Sequence, residues 1–271
     1  MPNPDVLSTH IADSVAVVTI GSAKRPYFDP EMSDALHDAL AALATDDNVR
    51  VVVLTGGAPG YFIRHYSVQA LVTTGENIQK SGVKWAEDAP YTPSTLDRSM
   101  TLAETMPKPV IAAICGSVAG GGFEFTLACD IRIAQEGDFL IGLPEINVGI
   151  LPGAGGTQRL PRTIGTANAL MHILMGVTVN PTEAAQKGFV HETVKGSALD
   201  RAMEIAKRLA THTPESVGYI KRLVRNATQT PLAEGLKLER NLFMALCSGE
   251  PALKRMRAFL NASATPPAAE S

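Results

Sequence analysis

Long apolar runs, paired cysteines and an excess of either charge are all missing from this chain of 271 residues. No stretch reaches the ~18 consecutive apolar residues that a membrane-spanning helix requires. The three cysteines, Cys115, Cys129 and Cys247, are odd in number and lack CxxC spacing. They read as reduced thiols, not as a disulfide framework or a zinc site. A formal net charge of −3 leaves no electrostatic footprint for nucleic acid and no polybasic membrane signal. The six histidines contain no HxxxH pair, so no metal is expected. The opening MPNPDVLSTH has neither the basic nor the apolar region of a secretory signal, and a cytoplasmic location is expected.

What is present suits one sizeable core with a smaller appended unit, since 45% of the residues are hydrophobic. The first half alternates strand and helix patterns. SVAVVTI (14–20), VRVVVLTG and VIAAICG (110–116) read as strands from their β-branched runs, and IRIAQ and DFLIGLPE as shorter ones. DPEMSDALHDALAALATD reads as a helix: Asp29 caps it, Pro30 suits its first turn, and Met32, Leu36, Leu40 and Leu43 form an apolar stripe. STLDRSMTLAETM (94–106) and GGFEFTLACD read as further helices. The polar, turn-rich segment 73–93, which holds Trp85, reads as a lid or mobile binding loop. After FVHETV (189–194) four helical patterns follow, separated by Pro and Gly. A boundary is placed near Gly196, dividing a catalytic core (1–195) from a helical region (196–262) and a tail (263–271) whose composition predicts disorder. Basic side chains on these helices are interleaved with acidic ones and read mostly as a solvated surface.

The most informative segment is PVIAAICGSVAGGGFEFTLACD (109–130). A buried strand runs into a glycine turn, and Gly120, Gly121 and Gly122 open a helix. Free N–H groups at a helix start make an anion site. No Lys follows the glycines as a P-loop would need, no Tyr begins a YxxxK motif, and Ser117 comes too early for a nucleophile elbow. The turn therefore reads as a cradle for an oxyanion. Glu124 lies three residues after Gly121, so the two share a helix face. Leu127, Ala128 and Ile131 are read as continuing that face, and a carboxylate among them is costly to bury without a task. The bland alternative is a surface glutamate that complements the helix dipole. In GLPEINVGILPGAGGTQRLPR (142–162), Pro144 keeps Leu143 extended and presents Glu145 at a strand end, and PGAGG is a tight loop before a helix near Thr157. Glu145 alone could be any turn carboxylate. Paired with Glu124 it forms a candidate acid/base couple.

KPVIAAICGSVAGGGFEFTLACDIRIA (108–134), LPEINVGILPGAGGTQRLPRTIG (143–165) and NPTEAAQKGFVHETV (180–194) closely resemble the crotonase superfamily, in its enoyl-CoA hydratase/isomerase branch. The resemblance covers nearly the whole chain in outline. It implies an α/β fold, a spiral of repeated ββα units with a C-terminal α-helical trimerisation region, and a homotrimer or a hexamer of two trimers. It implies that the N–H groups of Gly121 and Tyr66 form an oxyanion hole for an acyl-CoA thioester, and that Glu124 and Glu145 are the two catalytic glutamates. Gly120, Pro26, Tyr27, Phe28, Arg64, His65 and Trp85 are then the residues expected around the CoA and acyl groups. No cofactor is implied beyond the coenzyme A of the substrate. The chain departs from the family's pattern at Arg64-His65-Tyr66-Ser67, where a small AGAD turn is usual. It departs again at AKRPYFDPEM, where the family carries small and amide residues. Both segments shape the adenine pocket and acyl entrance in the family.

Hydration of a 2-enoyl-CoA is the expected reaction, because both glutamates are retained. Isomerisation, C–C hydrolysis or lyase chemistry on an acyl-CoA is the alternative within the superfamily. A non-catalytic or RNA-binding relative is the alternative of a different class, opposed by the near-neutral charge.

Overall fold

The computed structural model describes residues 5–263. They fall into two compact units, one ending at Thr211 and one beginning at His212.

The first unit is built on repetition. β1 (Leu7–Ala12) and β2 (Val15–Ile20) form an antiparallel hairpin, and α1 (Pro30–Thr45) follows. Then a strand, a short strand and a helix recur: β3 (Val51–Gly56), β4 (Tyr61–Ile63), then α2 (Val68–Ser81) and α3 (Thr95–Thr105). β5 (Val110–Ile114), β6 (Ser117–Ala119) and α4 (Gly121–Ala128) make the next turn. The turn after it holds β7 (Ile131–Gln135), β8 (Ile141–Gly142), a 3-10 helix Glu145–Val148 and α5 (Gly156–Ile164). α6 (Thr166–Met175), β9 (Thr178–Val179), α7 (Pro181–Gln186), β10 (Glu192–Val194) and α8 (Ala198–Ala210) complete the unit. The longer strands enter a six-stranded sheet, β1-β2-β3-β5-β7-β10, and the shorter ones a second sheet, β4-β6-β8-β9. From β2 onward the large sheet is parallel, and so are β4, β6 and β8. This is the expected ββα spiral of the crotonase fold.

The strand period sorts the core onto two faces. Ala16, Val18, Ile20, Val52, Leu54, Val110, Ala112 and Ile114 turn one way, toward α1, α3 and α4. Val15, Val51, Val53, Ile111, Ala113 and Ile133 turn the other way, against Ala198, Ala202 and Ala206 of α8. Those alanines recur every fourth residue, and their small side chains give α8 a flat face to lay on the sheet. A larger side chain such as Leu at Ala202 would overpack that face, at a cost of about 1–3 kcal/mol. α1 starts as its sequence predicts: Asp29 accepts the Met32 N–H at 2.9 Å, with Pro30 in the first turn.

Several boundaries differ from the sequence reading. Half of the expected loop 73–93 is helix, since α2 runs to Ser81; only the stretch up to the Ser94 cap of α3 lacks regular structure. α4 ends at Ala128, so Ile131 is not on the Glu124 helix face: it pairs with Ile111 as the first residue of β7. β8 is only two residues long, and Glu145 opens a 3-10 helix instead of ending a strand. The division at Thr211 lies one helix beyond the boundary read near Gly196, because the alanine face of α8 belongs to the sheet.

The second unit holds α9 (Pro214–Asn226), α10 (Leu232–Cys247) and α11 (Glu250–Ser263). It leaves large apolar side chains exposed, among them Val224, Leu232, Phe243 and Phe259. The predicted tail 263–271 lies outside the described residues from position 264 onward.

Candidate active site

β4, β6 and β8 lie side by side and parallel, so their carboxyl ends open onto one edge. In α/β proteins that edge is where ligands are bound. Three of the residues singled out in the sequence sit just past it. Tyr66 follows β4, Gly121 follows β6 and Glu145 follows β8.

Tyr66 is oriented by a short ladder. The His65 carbonyl accepts the Phe28 N–H at 2.9 Å, and the Ser67 N–H donates to the Phe28 carbonyl at 2.6 Å. In such a parallel bridge the residue between the two bonds turns its own N–H away from the partner strand. The Tyr66 N–H is therefore directed elsewhere, and it donates to no group among the described residues. The same holds for Gly121, the first residue of α4, whose N–H has no intrahelical acceptor. The two are neighbours: a Cβ on Gly121 would lie 3.8 Å from the Tyr66 nitrogen. Gly120 makes the approach possible with φ +52°, a conformation that side chains oppose. A Cβ on Gly120 would sit 3.1 Å from Glu145 Oε1 and 3.8 Å from His65 Cβ, so the turn, Glu145 and His65 converge there.

The two carboxylates are held very differently. Glu124 is 2% exposed, and its Oε1 accepts two N–H bonds, from Ala154 at 2.8 Å and Gly156 at 2.7 Å. Gly156 must be glycine for this, because a Cβ there would meet Oε1 at 3.0 Å and Leu143 at 2.8 Å. Burial raises the Glu124 pKa, while the Gly156 and Ala154 N–H groups and the Arg159 guanidinium oppose the rise. Glu145 has no such support. Its Oε2 is shielded from solvent and has no hydrogen-bond partner. Burial pushes this carboxyl up to about 7, its own backbone N–H resists, and the Glu124 charge adds to the rise. Both carboxyls are raised, Glu145 to about 7, so its protonated form is populated near neutral pH. The two carboxyls are thus within electrostatic reach of one another, in a site that also holds two backbone N–H groups without an acceptor among the described residues.

The other expected residues divide. His65 lies at the site, and its Nδ1 donates to the Tyr66 carbonyl at 2.7 Å, since a carbonyl can only accept. That leaves Nε2 outward, with the ring nearly parallel to Tyr27 at 6.3 Å. Burial raises the Tyr66 phenol pKa, followed by the charges of Asp29 and Asp34 at the start of α1. Pro26 receives the Arg64 N–H at 2.6 Å, and the Arg64 guanidinium is exposed over the Tyr61 ring. Phe28 has a fully buried ring, edge-on to Phe125, and its N–H and carbonyl are both engaged by the ladder. Trp85 is 68% exposed in the stretch between α2 and α3 and makes no ring contact among the described residues. Among those residues no cluster of His, Cys, Asp or Glu is arranged to hold a metal ion.

Sequence reading missed the groups that hold Glu124. PGAGG was legible as a tight loop, and glycines before a helix mark free N–H groups. Nothing local pointed from them to Glu124, more than two dozen residues earlier.

A family model described as Enoyl-CoA hydratase/isomerase matches residues 10–265. The chain is 33% identical to a probable enoyl-CoA hydratase of Bacillus subtilis (strain 168) over 259 residues, covering 94% of this chain and 96% of that protein. It is 33% identical to the 2,3-dehydroadipyl-CoA hydratase of Escherichia coli (strain K12), covering 83% of each. Its fold superposes on the crystal structure of an enoyl-CoA hydratase from Bacillus anthracis with a TM-score of 0.84. That structure is 31% identical, and the match covers 94% of this chain and 96% of the other.

Proposed function

The chain belongs to the enoyl-CoA hydratase/isomerase family, and from that premise we propose that it adds water across the C2=C3 double bond of a 2-enoyl-CoA thioester. The observation that carries this reading is the unequal treatment of the two carboxyls. Glu124 is stabilised as an anion on one oxygen, and Glu145 keeps its proton near neutral pH.

The thioester carbonyl oxygen accepts the N–H bonds of Tyr66 and Gly121, which draws electron density from the double bond and favours an enolate. Glu124, with Oε1 occupied, takes a proton from water through Oε2 as the water oxygen bonds to C3. The π electrons move toward C2 and the carbonyl. Glu145 then gives its proton to C2 and is left ionised. The proton gained by Glu124 replaces the one lost by Glu145, through solvent, and the cycle closes. Neither glutamate becomes covalently attached, and the net change is the addition of one water, hydroxyl at C3 and a proton at C2. No step calls for a cofactor.

A panel of short, long and aryl enoyl-CoAs, followed by loss of enone absorbance, tests this. Turnover with at least one member is expected, and none across the panel would move the activity to another reaction of the family. Tyr27, His65 and Tyr66 put aromatic rings where the resemblance implies smaller residues, which argues for a restricted acyl group. The homotrimer or hexamer is proposed as well, on the apolar side chains that the second unit leaves exposed. Light scattering coupled to gel filtration measures it, and a monomeric mass would dismiss it.

A further inference from the structure

Arg159, on the first turns of α5, is not used by the chemistry above. It makes two parallel bonds to Glu104 of α3, Nε to Oε1 at 2.8 Å and Nη2 to Oε2 at 3.0 Å. Only 20% of the Arg159 side chain and 26% of the Glu104 side chain are exposed, so this is not a solvated surface pair. Its remaining nitrogen, Nη1, donates to the Ala154 carbonyl at 3.0 Å. The guanidinium also presses one end against the loop: a Cβ on Gly155, where φ is +95°, would come within 2.2 Å of Nη1. Ala154 is thus gripped from both sides, by Arg159 through its carbonyl and by Glu124 through its N–H. The Gly156 N–H, the second donor to Glu124, opens the helix that carries Arg159.

We infer that Arg159, fixed by Glu104, is a positioning residue: it sets the 154–156 loop so that both N–H groups hold one oxygen of Glu124 and leave the other for water. Its kinetic consequence rests on the hydratase reading; the geometry does not. The charged groups that bear on Glu124 come from three directions: Asp97 and Glu104 of α3, Arg159 of α5, and Glu145 in the 3-10 helix. β4 and β6, also packed on α4, bring only the Tyr61 phenol. Arg159 and the two N–H groups all favour the ionised form of Glu124, so loosening the clamp raises its pKa further.

Three variants test this, Arg159→Met, Glu104→Gln and Arg159→Lys, each checked for folding by circular dichroism. The Glu124 carboxyl is followed by carbon NMR titration, assigned by its absence in Glu124→Gln. Its midpoint is expected to move up in Arg159→Met and less in Glu104→Gln. In the hydration assay kcat falls up to about 100-fold in Arg159→Met, with KM within about twofold, as for a misplaced catalytic group. The acidic limb, where the rate rises as Glu124 ionises, moves to higher pH. Lysine returns the charge without the fork, so the titration recovers more than kcat does. A Glu124 midpoint unmoved in both Glu104→Gln and Arg159→Met would overturn the inference, even with lowered stability, because a mere brace changes stability alone. If Arg159→Met does not fold, Glu104→Gln and Arg159→Lys decide by the same measurement. Failure of the parent protein to hydrate any enoyl-CoA would sink the proposed function and leave the titration result standing.

Discussion

Two helices follow the two proposed oxyanion donors, and they have opposite surroundings. α4 begins at Gly121, and all eight of its residues are buried. α2 begins two residues after Tyr66, and none of its 14 residues is buried. The α4 donor is fixed by core packing on every side. The Tyr66 donor is held by the ladder between 26–28 and 64–67 and by a partly buried ring packed on the core, and the helix beyond it is bounded by solvent. The comparison teaches that one proposed wall of the site is held inside the core and the other borders solvent.

The sharpest way to break that comparison lies on the buried wall and its partner acid. Glu124→Gln and Glu145→Gln should each lower kcat for enoyl-CoA hydration by about 10²–10⁴-fold, the worth of positioned acid–base catalysis; near-normal rates in either would remove that residue from the mechanism. Gly121→Pro deletes the N–H and should cost about 10²–10³-fold in kcat. If Tyr66→Phe lost as much, the phenol would take part in the reaction and the two walls would not divide as described.

A smaller effect tests the acid. Glu145 must carry a proton to act, so the rate should decline as pH rises through about 7. Its folded-state value lies above the ordinary carboxyl value of 4.5, so its share of stability is complete below that value and is lost as pH rises through about 7. Gln has no such loss. The Tm difference between Glu145→Gln and the parent should therefore grow more positive from about pH 5 to about pH 8; a constant difference would contradict the burial of an ionisable group there.

The smallest effects belong to the exposed wall. Tyr66→Ala should change the ratio of kcat/KM between aryl and straight-chain substrates more than it lowers the best attainable rate. Leu71→Ser on α2 should leave the urea midpoint equivalent to a change within about 0.5 kcal/mol, as for an exposed position.

The same contrast explains what the sequence made legible. α4 and Glu124 stood out because a glycine turn, a carboxylate and an apolar run cannot share a segment by chance composition of a surface. α2 did not: Val68, Leu71 and Val72 have helical spacing but stay exposed, and Gly75 with the polar run after it reads as loop. β1, with five of its six residues exposed, and the three-residue strands β4 and β6 also escaped, while β8 was read but is only two residues long. Those short strands owe their existence to neighbours from other turns of the spiral, which no local pattern encodes. Arg159 and Glu104 are 55 positions apart, so neither announces the other. The strand–helix alternation and the helical end were readable from the residues, and the ββα spiral only through the family resemblance; the clamp on Glu124 was not, since it is assembled wholly from tertiary proximity.

The spiral has a consequence for the life of the chain before it works. Tyr66, Gly121 and Glu145 each follow a strand of the small sheet, and each comes from a different, successive turn. On the ribosome they emerge one turn at a time, and no two of them can meet until the strands between have stacked. A chain made only as far as α4 therefore lacks Glu145 and the loop whose N–H groups hold Glu124. In refolding, helical signal should return first and turnover last, which makes enzymatic activity a clock for the final docking of the turns.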